Sequence, residues 1–296
     1  MPIAQEFELY RPKTLDEAGE VLKAHKSKAR VLAGGTDLLN WLKEGLVAPE
    51  ALVDIKGIPE LRELRLEGKT LSIGAAVTFA EILESELVRR KFPLLWEASR
   101  TVASGGVRSR ATLVGNICSA IPSLDSGPAL LVHEARARVQ SGRERRMVPL
   151  ASWFLGPRQT ALAEGEFVTG IELDVPDHKN AGAYLKLGRY AGEDLAQVGL
   201  GVLTDAAKAW RVAFCAVGPV PARAPKIEAL LAGKALTDAL LRKAQSLVAE
   251  EIRPITDIRS SKEYRLHMAE VMLERGLRTA ASRLAGRGPE YGVSVL

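Results

Sequence analysis

Two glycine-marked bends constrain this chain more than any other feature. The first is Val31-Leu-Ala-Gly-Gly-Thr-Asp-Leu38. The second is Ala111-Thr-Leu-Val-Gly-Asn-Ile-Cys-Ser-Ala-Ile-Pro-Ser-Leu-Asp125. Each reads as a short apolar strand that breaks into a loop of small and hydroxyl residues. Without Cβ atoms such loops let a ligand approach the backbone and meet its N–H groups.

The flanking pattern sets the fold class. Phe7, Leu9 and Tyr10 read as a strand, and Thr14-Leu-Asp-Glu17 as a capping box that starts a helix. Ala29–Leu32 is a second strand, Leu38–Lys43 a short helix and Leu52–Ile55 a third strand. This alternation predicts a small α/β layer. Next come a hairpin turned at Glu67-Gly-Lys69, helices from Thr78 and Pro93, and the second bend. Ala129–His133 and Ala137–Gln140 then lead to a hairpin at Ser141-Gly142, and Phe167–Val175 reads as a strand. The polar stretch Pro176–Gly182 marks a boundary. Beyond it, 183–187, 198–203 and 212–217 predict an antiparallel sheet. Pro219, Pro221 and Pro225 mark a crossing loop, helices run over about 237–251 and from Ser261, and the end is a loose tail. The class is α+β: subdomains of about 1–56 and 57–176, a C-terminal domain of 177–286 and a tail of 287–296.

Composition narrows the function classes. An apolar fraction of 47% provides for a core, and no apolar run approaches the roughly 20 residues that span a bilayer. The N-terminus has no signal-peptide pattern, and two cysteines make no metal-cluster motif, so the expected compartment is a reducing cytoplasm. The net charge of +5 is mild. Arg136, Arg138, Arg143, Arg145 and Arg146 gather on one hairpin without aromatic neighbours, so no nucleic-acid platform is read there.

The bends suit a dinucleotide. A diphosphate needs several donors converging in a small volume; Gly34 and Gly35 clear the space, Thr36 adds a hydroxyl, and amides from Ala33 to Leu38 can turn inward. This is neither a P-loop nor a three-glycine fingerprint. Gly199-Leu-Gly201 imitates the latter but lies in an apolar strand. In the second bend Thr112, Gly115, Asn116, Ser119 and Asp125 offer partners for phosphate and ribityl hydroxyls. Together the bends read as the two halves of a flavin dinucleotide site.

These residues resemble the flavin-binding medium subunit of the molybdenum hydroxylases, the carbon monoxide and xanthine dehydrogenase type. The resemblance rests on Tyr10-Arg-Pro12, Ala33-Gly-Gly-Thr-Asp37, Ile73-Gly-Ala75, Val107-Arg-Ser-Arg-Ala-Thr112, Gly115-Asn116, Lys186-Leu-Gly-Arg189, Glu193-Asp-Leu-Ala196 and Ser261-Lys-Glu-Tyr-Arg265. It implies FAD bound in this chain. Ala33, Gly34, Gly35, Thr36, Asp37 and Leu38 would hold the diphosphate. Thr112, Gly115, Asn116, Ser119 and Asp125 would hold the diphosphate and ribityl chain. Phe167 and Val168 would pack near the isoalloxazine, Lys186 would stand at its polar edge, and Tyr190 would ride on a mobile loop over it. A large molybdenum-bearing subunit and a small subunit with two [2Fe–2S] clusters would be partners in a dimer of heterotrimers. Electrons would pass from the clusters through FAD to an external acceptor. No catalytic residue and no metal ligand is assigned to this chain. Its departures from the family pattern are Val114 for a second glycine, Gly106 for glutamine and Ser109 for asparagine. The alternatives are a self-contained flavoenzyme of related fold and an interaction module without FAD.

Overall fold

The computed structural model describes residue 3, residues 5–190 and residues 192–296. The chain opens with β1 (Glu8–Tyr10), α1 (Leu15–His25), β2 (Ala29–Leu32), α2 (Leu38–Lys43) and β3 (Ala51–Asp54). The three strands form a parallel sheet in the order β1-β3-β2. Thr14 caps α1 by accepting from the Glu17 amide, while the Glu17 carboxylate accepts from Lys13 N, so only half of the expected reciprocal box forms.

A second sheet follows. Its strands are β4 (Leu64–Glu67) and β5 (Thr70–Gly74), then β6 (Arg136–Ser141) and β7 (Glu144–Pro149), with β10 (Phe167–Asp174) inserted centrally in the order β4-β5-β10-β6-β7. The small pair β8 (Phe154–Gly156) and β9 (Gln159–Thr160) lies apart. Between β5 and β6 run α3 (Phe79–Glu84), α4 (Glu86–Lys91), α5 (Pro93–Arg100), α6 (Gly105–Arg108), α7 (Leu113–Ser119) and α8 (Ser126–Val132). The basic hairpin β6–β7 is largely neutralised internally: Arg136 pairs with Asp174 at 2.6 Å and Arg146 with Glu166 at 2.6 Å.

The third sheet is antiparallel: β11 (Asn180–Leu187), β12 (Val198–Asp205), β13 (Trp210–Cys215) and β14 (Ala222–Arg223). It packs under α9 (Pro225–Leu231), α10 (Asp238–Ser246), α11 (Val248–Glu251) and α12 (Lys262–Leu284). One apolar cluster joins the first two sheets through Val53, Ile73, Phe79, Leu130 and Phe167, and a second joins the third sheet to its helices through Leu200, Phe214, Met272 and Leu277. Helix α8 lies between them, and Gly201 lets it approach: a Cβ there would stand 3.0 Å from the Pro128 backbone. The glycines of Gly199-Leu-Gly201 thus serve packing in a buried strand.

Three sequence expectations give way. The second bend is largely helix α7, because Thr112 caps it and buried Leu113, Val114 and Ile117 fix its apolar face against the core. Pro225 starts a helix at its first position, where a missing N–H costs nothing, so the crossing loop is shorter than predicted. The tail is docked: Gly292 N donates to Glu97 Oε1 at 2.8 Å and Gly182 N to the Tyr291 hydroxyl at 2.9 Å.

Candidate functional site

The two bends touch. A Cβ on Gly34 would stand 2.0 Å from the Arg110 carbonyl oxygen and 3.0 Å from Ala111 Cα, so the glycine is what lets one backbone lie on the other. A side-chain bond closes the contact, with the Ser119 hydroxyl donating to the Asp37 carboxylate. That carboxylate stands at the start of α2 without capping it, because it reaches across to the other bend instead.

Beside this contact lies a cavity of about 550 Å³, within the usual range for small-molecule sites. Ala33, Gly34, Gly35, Thr36, Asp37 and Leu38 form one wall, Thr112, Gly115, Asn116 and Ser119 another, and Phe167 and Val168 a third. Residues without a signal in the sequence complete it, among them Lys26, Ser27, Arg30, Trp41 and Arg158. Arg158 has φ of 60°, donates its N–H to Ala120 O at 2.9 Å and lies over the Trp41 ring at 5.5 Å. Long-range packing recruits these groups, so no local pattern could have marked them.

The donor set fits a diphosphate. Among the described residues no protein acceptor receives the N–H groups of Gly34, Gly35, Thr36, Asp37 or Leu38; the first bond of that turn runs from Leu39 N to Gly35 O at 3.0 Å. Gly35 has φ of 77°, which a side chain would strain. In the other wall the Thr112 hydroxyl accepts from Gly115 N at 2.9 Å, and Asn116 Oδ1 accepts from the Ser126 hydroxyl at 2.6 Å. Consecutive free amides beside a cavity are costly unless water or an anionic ligand meets them. Val114 adopts helical backbone and lines the cavity without closing it. Cys118 also lines the wall, and burial pushes its thiol up to about 12, so it is a neutral group there.

The comparisons agree with this geometry. Residues 5–176 match the model of the FAD binding domain in molybdopterin dehydrogenase, and residues 183–280 that of the CO dehydrogenase flavoprotein C-terminal domain. The chain belongs to the FAD-binding medium subunits of the molybdenum hydroxylases. It is 34% identical over 287 residues to the carbon monoxide dehydrogenase medium chain of Hydrogenophaga pseudoflava, covering 96% of this chain and 100% of that one. It is 29% identical to a putative xanthine dehydrogenase FAD-binding subunit of Escherichia coli, covering 94% of this chain and 97% of that one. Among solved structures, a Cu,Mo-CO dehydrogenase chain superposes with a TM-score of 0.91 at 31% identity, over 96% of this chain and all of that one. Quinoline 2-oxidoreductase from Pseudomonas putida 86 gives 0.88 at 28% identity, over 96% and 99% of the two chains.

In this medium subunit two of the expected site residues stand away from the cavity. Asp125 and Lys186 meet at the junction of α5, α8 and β11. Lys186 Nζ donates to Asp125 Oδ2 and to Thr101 O, both at 2.8 Å, and the Tyr184 hydroxyl donates to Asp125 Oδ1 at 2.9 Å. Both charged side chains are 10% exposed. Burial pushes the Asp125 carboxyl up, against the opposing pull of Lys186 and Tyr184. Lys186 is therefore no solvated strand lysine, and a ribityl hydroxyl would have to share an Asp125 oxygen that already accepts a bond. Phe167 and Val168 line the cavity, whereas Lys186 and Asp125 do not. Tyr190 is 58% exposed, on a loop where Arg189 clamps Asp194 at 3.0 Å; Ala191 falls outside the described residues.

Among the described residues no helix is long and apolar enough to cross a membrane, and no three His, Cys, Asp or Glu side chains group to hold a metal ion.

Proposed function

We propose that this chain holds the FAD diphosphate between its two bends and relays electrons from iron–sulfur clusters of a small subunit to an external acceptor, in a complex whose large subunit carries the molybdenum cofactor. The row of free amides from Gly34 to Leu38, facing a cavity closed by Thr112, Gly115, Asn116 and Ser119, carries this reading. Bound FAD supplies a carrier that accepts and releases electrons one or two at a time.

The chain's own residues bind and orient. The amides and the Thr36 hydroxyl meet the phosphate oxygens, and Gly35 keeps side chains out of their path. Phe167 and Val168 supply apolar wall. Lys186 is assigned to the polar edge of the flavin ring, with Asp125 holding the ammonium in place; a cation there favours the anionic reduced form and raises the potential. Residues 1–176 form the FAD-holding unit in this reading and 177–286 its cover. The complex is a cytoplasmic dimer of heterotrimers.

The test is purification of the complex from its native host with flavin, iron and molybdenum analysis. One FAD per chain and absorbance near 450 nm are expected. Stripping the FAD should leave substrate reduction of the clusters intact and abolish delivery to the acceptor. Unimpaired delivery from the stripped complex would overturn the proposal. Turnover of an organic substrate by this chain alone would instead favour a self-contained flavoenzyme.

A further inference from the structure

Glu97 and Arg283 form the most completely satisfied buried pair in the described structure, with 7% and 3% of their side chains exposed. Arg283 uses all five of its donors. Its Nη atoms reach both Glu97 oxygens at 2.9 and 3.0 Å, Gly182 O at 2.8 Å and Glu290 O at 2.9 Å, and its Nε reaches Pro289 O at 2.9 Å. Each Glu97 oxygen accepts one further bond: Oε1 from Gly292 N and Oε2 from Tyr184 N, both at 2.8 Å. The Tyr291 ring lies 4.0 Å from the guanidinium. The C-terminal segment is thus part of the pair, and it lies beyond the residues that the family models match.

What the pair holds is the free edge of the third sheet. Strand β11 is that edge, and its outward groups would otherwise be open. Tyr291 takes Gly182 N, Arg283 takes Gly182 O and Glu97 takes Tyr184 N. Two positions further along the strand, Lys186 donates to Thr101 O, four residues after Glu97. The Glu97–Tyr184 bond is made by strand backbone and the Thr101–Lys186 bond through the lysine side chain. Together they tie the C-terminal end of α5 to β11 at two points and so hold their register.

We propose that Glu97 is a positioning residue for Lys186. Braced by Arg283 and residues 289–292, it fixes that register, so the ammonium meets Thr101 O and Asp125 at the domain junction. The functional consequence rests on the reading that Lys186 serves the flavin. The register itself does not.

The test uses the flavin-loaded full chain, E97Q, and a chain ending at Gly288. Reductive methylation of lysines, followed by mass spectrometry, reports on Lys186 independently of the flavin. Lys69, with 76% of its side chain exposed, is the internal reference. In both variants Lys186 should label about tenfold faster or more, as expected when a closed site opens locally, while Lys69 is unchanged. The flavin midpoint potential in E97Q should shift in the same direction as in K186M, with no further shift in the double variant. Persistent protection of Lys186 in both variants would overturn the positioning role. Faster labelling with a flavin potential indifferent to K186M would uphold the register and overturn the flavin role of Lys186.

Discussion

Gly34→Ala is the sharpest probe of the site, because the bend-to-bend contact depends on one missing methyl group. The added Cβ would lie 2.0 Å from Arg110 O and 2.7 Å from Arg110 C. Ordinary non-bonded separation is about 3.5 Å, so the bends must part by about 1.5 Å. Both opposing atoms are backbone, so no side chain can swing aside. Overpacking of this kind costs about 1–3 kcal/mol. The φ of Gly34 lies outside the left-handed region, so alanine recovers only about 0.4–1 kcal/mol through the unfolded chain. A net loss of about 1–2 kcal/mol is expected. The same displacement pulls the amides of Gly34–Leu38 away from those of the other wall. Hydrogen bonds stretched from about 2.9 Å beyond 3.5 Å are lost, and each charge-assisted one contributes about 1.5–3 kcal/mol. FAD affinity should fall at least about tenfold. Urea unfolding of the FAD-free chain gives the stability, and fluorescence titration with FAD gives the affinity. Gly106→Ala is the control, since its Cβ would meet only Ser104 Oγ at 4.0 Å. If Gly34→Ala matched the control in both measurements, the contact would not shape the site. Bulky replacements at Gly34 cannot be expected to spare the fold.

Three further outcomes follow from buried groups. Lys186→Met strands a buried carboxylate, which costs up to about 3–5 kcal/mol; the flavin potential should fall, and redox titration with thermal melts checks both. His133 is 7% exposed with both ring nitrogens unpartnered, and burial, with Arg211 adding, pulls it down to about 4. Its folded value lies below its unfolded one, so the unfolded state binds the proton first and stability falls as pH drops from about 6.5 to 4, by roughly 3 kcal/mol. His133→Leu should flatten that limb in denaturant titrations across pH, and an unchanged slope would contradict it. Cys118 and the buried Cys215 both have thiols raised by burial. Neither should take up iodoacetamide at pH 8 without denaturant, which intact-mass measurement tests.

Much of this was legible locally. The Leu38–Lys43 helix, the strand from Phe167 and the Thr78 cap follow from periodicity and capping chemistry, which act over a few residues. Gly34 was legible because close backbone approach needs glycine. The second bend was misread as a strand entering a loop. Its β-branched and glycine residues speak against a helix, and only burial of Leu113, Val114 and Ile117 overrides that preference. The tail looked loose because its composition is that of a turn, yet it completes the bonding of Arg283.

By itself, the order of residues determined most of the elements, where the two bends lie and the family, since each is written in neighbours along the chain. Only the folded arrangement decided that Gly34 rests on Arg110, that Asp37 is tied to Ser119, and that Lys186 is buried against Asp125 rather than free. Such contacts join groups far apart in sequence. Their cost and benefit arise when water is excluded between surfaces, and that exclusion exists only once both surfaces are assembled.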